Sequence, residues 1–247
     1  MDARQKYLFD LHGYVVLRGV LSTDQVAALN AACAEIEAGV PDRLPGGVAL
    51  GKPVENGELY ISNIAEGGPA FEDLIDLEPV VDIVRGTSPW QFRLNHTNLT
   101  TRHGEGYTYM HMGGTPVHPK GMYVCQNGQI GSTLTKAVFP LAGTRIEDGC
   151  FAVIPGSHKS NFERPFGDHP DDNPPLVPIA CEPGDAVVFT EALAHGSLVN
   201  KSDALRRTLF YCYSVGFMPD WGKLDLRFSD EFVARLSEPR REIVRMK

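Results

Sequence analysis

PGDAVVFTEALAHGS, residues 183–197, combines a turn, a strand and a histidine in one short segment. Pro183-Gly184-Asp185 is typical of a turn, and Ala186–Phe189 is a β-branched run typical of a strand. His195 lies just past that strand, and Ser197 points to the same side if the chain stays extended. The segment therefore predicts a strand that carries a histidine and a hydroxyl to one site.

Strand-like runs separated by turn signals fill the chain from Gln91 to the region of Ser214. They are Phe92–Leu99, Thr133–Leu141, Cys150–Ile154, Ala186–Phe189 and Thr208–Val215. This spacing leaves no room for crossover helices, so it favours a β-sandwich or barrel over βαβ units. With helical patterns before and after it, the sequence predicts an α+β fold in which helices pack outside the sheets.

The best-marked helix begins after Ser22, where Gln25 completes a capping box, and it ends at Gly39. The other predicted segments are a short helix over residues 5–9, a strand over Gly13–Val20, loops with short strands and a flap over 41–68, one helix over 70–86, and a terminal amphipathic helix over Ser229–Lys247.

Composition limits the class of protein and its partners. The 247 residues suffice for a single domain, residues 1–247. A net charge of -8 argues against a nucleic acid polymer as partner but allows a small anion held by a local arginine. Five scattered cysteines, no signal-peptide core and no bilayer-length apolar run predict a cytoplasmic protein with no membrane partner.

A second histidine, His111, stands far upstream in Tyr109-Met110-His111-Met112-Gly113-Gly114, and Arg206 follows His195. An arginine buried on a strand needs an anion, and a carboxylate matches its planar fork. An ordinary Arg–Asp ion pair is the alternative. Two distant histidines and a trailing arginine together indicate an iron site with a bound oxoacid. Among the other histidines, His118 and His158 are predicted to brace loops.

The sequence resembles the phytanoyl-CoA dioxygenase-like branch of the non-haem iron(II), 2-oxoglutarate-dependent oxygenases. The likeness runs from residue 13 to Arg206, and its landmarks are Gly13-Tyr14-Val15-Val16, DGCFAVIPGSH at 148–158, Pro183-Gly184-Asp185 and His195-Gly196-Ser197. It implies a double-stranded β-helix (jelly roll) with helices packed on one side, in agreement with the strand pattern.

The resemblance also implies roles for individual residues. These are His111 and His195 as iron ligands, Arg206 as the partner of the distal carboxylate of 2-oxoglutarate, Ser197 as an assisting hydroxyl and Asn98 as an amide near the cosubstrate. Arg207 is the rival to Arg206, because strand alternation sends only one of them inward.

The chain departs from the pattern at Gly113, two positions past His111. Such oxygenases usually hold iron with two histidines and a carboxylate, and the carboxylate would stand there. Iron halogenases of the superfamily have Gly or Ala at this position and bind chloride in the gap. The resemblance therefore implies an Fe(II)/2-oxoglutarate-dependent halogenase that uses O2 and chloride on an unactivated C–H bond, with Gly113 lining the chloride pocket.

Two other functions stay open. One is a hydroxylase in which water or a distant carboxylate replaces the missing ligand, the candidates being Glu105, Asp148 and Glu191. The other is a non-catalytic binding relative, against which the intact cosubstrate residues argue.

The substrate is expected to be a small molecule. The resemblance favours a nucleotide, chlorinated at the 2′ carbon of a deoxyadenosine monophosphate in antibiotic biosynthesis, and leaves a carrier-bound substrate open. His96, on a predicted strand, is a candidate to face the pocket. The residues available to hold a phosphate are Arg93, Arg102, Lys120, Lys136 and Arg164, and His96, Arg102 and Lys120 are the predicted substrate-binding residues.

Overall fold

The structure is a computed structural model that describes residues 1–51, 58–114, 120–221 and 227–245. The helices are α1 (Ala3–His12), α2 (Thr23–Gly39), α3 (Pro69–Glu72), α4 (Glu78–Thr87), α5 (Asp230–Arg235) and α6 (Glu238–Arg245). The strands are β1 (Tyr14–Leu17), β2 (Ala49–Leu50), β3 (Glu58–Ser62), β4 (Phe92–Arg102), β5 (Tyr123–Gln126), β6 (Gln129–Ser132), β7 (Leu134–Pro140), β8 (Phe151–Val153), β9 (Val177–Ile179), β10 (Ala186–Thr190), β11 (His195–Ser197) and β12 (Arg206–Val215).

The strands form a large sheet and a small sheet, with a separate hairpin. The large sheet has the order β1-β10-β7-β12-β4-β3-β2, the small sheet has the order β11-β8-β9, and β5 pairs with β6. Every named strand pair is antiparallel. All five predicted strand runs are present, and so is the strand predicted at the N-terminus.

Alternation along the central strands gives the large sheet two different faces. On β12, Leu209 and Tyr211 belong to the main apolar core shared with the helices, whereas Thr208 and Phe210 line a cavity that residues of the small sheet also line. The helix face is closed by hydrogen bonds as well, since the Tyr211 hydroxyl donates to the Phe71 carbonyl at 2.5 Å. The sheet thus packs on helices with one face and presents a polar site with the other.

The capped helix predicted after Ser22 is confirmed, with the reciprocal Ser22–Gln25 hydrogen bonds of a capping box. The single helix predicted over residues 70–86 is wrong, because the chain forms α3 and then starts again at α4. Pro79 accounts for the break, since it has no N–H to give to the Ile75 carbonyl and its ring would clash there. That carbonyl instead accepts the Tyr213 hydroxyl at 3.0 Å.

The terminal amphipathic helix is likewise two helices, α5 and α6, and Pro239 lies in the first turn of the second. The β5–β6 hairpin was not predicted, although Asn127-Gly128 is a strong turn signal and both residues have the positive φ of a type I′ turn. In the described part of the chain, none of the helices combines the length and apolarity needed to cross a membrane.

Candidate active site

His111 and His195 are direct partners in an antiparallel bridge between the two sides of the cavity. The His111 amide donates to the His195 carbonyl at 2.9 Å, and the His195 amide donates back at 2.8 Å. This pairing places the two side chains together, with ring centroids 4.2 Å apart. Phe189 lies against the His195 ring at 4.6 Å and restricts its orientation. The two histidines are therefore adjacent despite their distance in sequence, as predicted.

Both imidazoles are arranged to act as neutral ligands. Their Nδ1 atoms lie 2.9 Å from the Tyr109 carbonyl and 2.7 Å from the Leu193 carbonyl, so each Nδ1 carries the proton that it donates. Each Nε2 then keeps a free lone pair. Burial lowers the pKa of His111, and burial together with the neighbouring His111 holds the pKa of His195 well below its ordinary value.

A buried carboxylate completes the group. Glu191 has one side-chain oxygen in a set with His111 and His195 whose possible ligand atoms all lie within 4.8 Å of one another. Its Oε2 is 4.0 Å from His195 Nε2 and 2.6 Å from Lys136 Nζ. Burial opposes the charge on Lys136, but the Glu191 carboxylate outweighs it, so the pKa of Lys136 lies above its ordinary value.

The open position expected beside Gly113 is filled. A Cβ at Gly113 would collide with the Glu191 Cγ and would lie 2.9 Å from Oε1 and 3.0 Å from the Trp221 ring. The space next to Gly113 thus holds a carboxylate side chain, and the chloride pocket expected there stays a prediction. The sequence had named Glu191 only as one of three alternatives; its spacing of four residues before His195 was the available signal.

Arg206 lies across the same cavity, which has a volume of about 220 Å³. Within the described ranges its side chain has no hydrogen-bond or ion-pair partner, and its Nε is buried with no acceptor. Burial and the nearby Arg102 lower the pKa of Arg206 to about 10, which leaves it charged at neutral pH. The Glu58 and Asp148 carboxylates are near enough to act on Arg206 but form no ion pair with it. A buried guanidinium without an ion-pair partner is a candidate anion site.

The rival arginine faces the other way. Arg207 donates from Nε and Nη2 to the two oxygens of Glu37 on α2, at 2.9 and 2.6 Å. The choice between the two arginines is therefore settled by the sheet: Arg206 lines the cavity, and Arg207 ties the sheet to a helix.

The remaining predicted cosubstrate residues also line the cavity. Asn98 is buried, and its amide has no hydrogen-bond partner in the described part of the chain. Ser197 differs, because its hydroxyl accepts from the Thr108 amide at 2.8 Å and donates to the Leu198 carbonyl at 3.1 Å. Asn98 is thus available to a ligand, whereas Ser197 is occupied by backbone.

Of the predicted substrate residues, His96 and Arg102 line the cavity and Lys120 does not. Burial and Lys136 lower the pKa of His96 to about 3, and Arg102 pairs with Glu58. The other phosphate candidates have protein partners as well: Arg93 pairs with Asp220, Arg164 with Asp168, and Lys136 with Glu191.

The loop-bracing role predicted for His158 agrees with the structure. Its Nε2 lies 3.1 Å from the Asp10 carbonyl of α1. The same prediction for His118 falls outside the described residues.

Residues 9–208 match the family described as phytanoyl-CoA dioxygenase (PhyH). The ectoine dioxygenase of Sphingopyxis alaskensis is 24% identical over 97% of this chain and 84% of its own. Dioxygenase lolE1 of Epichloe uncinata is 31% identical over 36% of this chain, and the match spans only 34% of lolE1.

Solved structures agree on the fold. The crystal structure of HygX from Streptomyces hygroscopicus with nickel and 2-oxoglutarate bound has a TM-score of 0.78, with 21% identity over 93% of each chain. In this jelly-roll fold the two histidines and Arg206 line one cavity, which is the arrangement expected of a metal-dependent oxygenase. The chain belongs to the phytanoyl-CoA dioxygenase (PhyH) family, and the α+β double-stranded β-helix is confirmed.

Proposed function

We propose that the protein is an Fe(II)/2-oxoglutarate-dependent oxygenase that hydroxylates an unactivated C–H bond of a small molecule. The overall change would be substrate plus O2 plus 2-oxoglutarate to hydroxylated substrate plus succinate plus carbon dioxide. One observation carries the proposal: two neutral histidines with free Nε2 atoms line the same cavity as Arg206, whose guanidinium has no ion-pair partner among the described residues.

The residues fit an iron(II) ion on chemical grounds. Imidazole nitrogens and a carboxylate are the ligands that non-haem iron oxygenases use, and His111 and His195 offer two such nitrogens. Their Nδ1–H bonds to backbone carbonyls fix the tautomer and ring orientation that a metal ligand requires. When bound, the iron would supply O2 activation coupled to oxidative decarboxylation of the oxoacid.

The residues around Arg206 fit 2-oxoglutarate. A guanidinium can hold the distal carboxylate through two parallel hydrogen bonds, and the Asn98 side-chain amide lines the same cavity. HygX has been crystallised with nickel, 2-oxoglutarate and hygromycin B bound, so a similar fold binds this oxoacid together with a small molecule. We extend both to this chain as part of the proposal.

Hydroxylation is favoured over chlorination because of Glu191. Chloride on iron would need the space beside Gly113, and the Glu191 side chain already occupies that space. The nucleotide substrate has little support, because Lys120 does not line the cavity and the other lysine and the arginines proposed for its phosphate have protein partners. We therefore propose a small-molecule substrate without assigning it to the nucleotides.

The test is anaerobic addition of Fe(II) and 2-oxoglutarate to the metal-free protein, in chloride-containing and chloride-free buffer. We expect a visible metal-to-cosubstrate charge-transfer band with the same intensity and midpoint in both buffers. Absence of the band at saturating iron and 2-oxoglutarate would refute the oxygenase proposal. A band that shifts or strengthens with chloride would instead restore halogenation.

A further inference from the structure

We infer that Glu191 is the third protein ligand of the metal, so that the carboxylate usually found two residues after the first histidine has moved to a Glu-x-x-x-His segment, Glu191 to His195. This inference rests on the proposed function and gives its metal centre a complete set of two imidazoles and one carboxylate. The ligand class is a divalent transition metal, with iron(II) the ion required for oxygenase chemistry.

The backbone explains why the carboxylate can be exchanged between these positions. The Gly113 amide donates to the Glu191 carbonyl at 2.8 Å, so the two residues are neighbours across the same bridge that joins the histidines. A side chain at Gly113 and the side chain of Glu191 would occupy one volume. Because Gly113 has no side chain, the space beside it can hold the Glu191 carboxylate.

The other carboxylates that the sequence offered do not reach the histidines. Asp148 is held by Arg145 at 3.0 Å and by the Ser202 hydroxyl at 2.8 Å. Glu105 is exposed. Within the described ranges, Glu191 is the carboxylate grouped with His111 and His195.

The electrostatics of the site favour a ligand over a plain ion pair. Burying a carboxylate and an ammonium costs free energy that one contact barely offsets, so the Glu191–Lys136 pair is a weak stabilising device. Lys136 Nζ lies 2.6 Å from Glu191 Oε2, beside two imidazoles whose Nδ1 atoms are held by backbone carbonyls. A divalent cation between the imidazoles and the carboxylate would be held by all three, with Lys136 as a positioning residue on Oε2.

Cobalt(II) is the probe, because its visible spectrum reports both affinity and the ligand set without turnover. Glu191→Ala alone would leave Lys136 buried without its counter-charge, so the test uses Glu191→Gln and the double variant Glu191→Ala/Lys136→Met. We expect each to bind Co(II) about 100-fold more weakly than the wild type and to change its spectrum. Glu37→Gln, which alters the carboxylate paired with Arg207, is the matched control and should leave both unchanged.

A second set of variants moves the carboxylate from position 191 to position 113. Gly113→Asp alone should bind Co(II) poorly, because its side chain competes with Glu191 for one volume. Gly113→Asp/Glu191→Ala should recover affinity to within about tenfold of the wild type. If both Glu191 variants bind Co(II) with the affinity and spectrum of the wild type, the inference is overturned. The oxygenase proposal would still stand in that case, provided that the wild type shows the charge-transfer band. Failure of the wild type itself to bind metal would instead refute the proposed function.

Discussion

Arg206 and Arg207 are adjacent on β12 and have opposite surroundings. Arg207 is neutralised by Glu37 through two hydrogen bonds, and it joins the large sheet to α2. Arg206 lines the cavity with a buried Nε that lacks an acceptor within the described ranges. One strand thus carries an arginine whose ion pair stabilises the fold and an arginine whose guanidinium has no such pair in the described residues and is available to a ligand.

The same contrast extends over the two faces of the large sheet. On the helix face, polar groups end on protein partners, as with the hydroxyl of Tyr211 on the Phe71 carbonyl. On the cavity face, Asn98 and Arg206 have no such partners in the described residues. An unsatisfied polar group is costly when buried, so the guanidinium of Arg206 indicates a place in the cavity where a ligand could bind.

The largest effect on stability is expected on the helix face. Phe139 is fully buried and packs edge-on against Tyr211 with ring centroids 5.9 Å apart. Phe139→Ala should lower the free energy of unfolding by about 4 kcal/mol, through lost burial and the cavity left behind. Chemical denaturation measures this, and the folded fraction should keep the wild-type affinity for 2-oxoglutarate. A loss of that affinity in folded protein would show that the two faces are not separable.

The largest effect on ligand binding is expected from Arg206→Met. Removing the charge while keeping an apolar stem should weaken 2-oxoglutarate binding about 100-fold, roughly 2.7 kcal/mol. Titration of the charge-transfer band gives the affinity. Stability should not fall, and it could rise, because an unpaired buried cation is removed. Unchanged affinity would place the oxoacid elsewhere in the cavity.

The difference between the two faces of the sheet is only partly predictable from the sequence. The strands were predictable because their positions follow local patterns: turn, β-branched run and period-two alternation. The roles of the two histidines and Arg206 were implied by the family resemblance. Which of Arg206 and Arg207 faces the cavity could not be predicted, because it depends on which face of β12 meets α2. The break at Pro79 could have been predicted from proline alone.

The position of Glu191 beside Gly113 and the two histidines could be found only from the tertiary structure. Its neighbour Gly113 is remote in sequence and comes close through the bridge between the two histidines. A glycine where a carboxylate is usual therefore gave the impression of a vacancy, although the Glu191 side chain from another segment occupies the adjoining space. Sequence alone cannot separate an absent ligand from a relocated one when the two segments meet only in the fold.

Arg207→Met is the structural counterpart of Arg206→Met. It removes a partly buried ion pair and leaves the Glu37 carboxylate without its guanidinium, so the free energy of unfolding should fall by about 1–2 kcal/mol. The affinity for 2-oxoglutarate should stay within about twofold of the wild type. Comparing the two variants by the same denaturation and titration experiments makes the contrast quantitative. A binding defect in Arg207→Met as large as that in Arg206→Met would contradict the assignment of faces.

The smallest effect concerns Ser197, which lines the cavity yet has its hydroxyl engaged by backbone on both sides. If engagement by protein decides whether a cavity residue serves the ligand, Ser197→Ala should lower stability by about 1 kcal/mol and change 2-oxoglutarate affinity less than about threefold. Asn98→Ala, which removes an amide without a partner in the described residues, should do the reverse. A larger binding loss for Ser197 than for Asn98 would mean that the hydroxyl leaves its backbone contacts for the cosubstrate, and that the family role assigned to it holds.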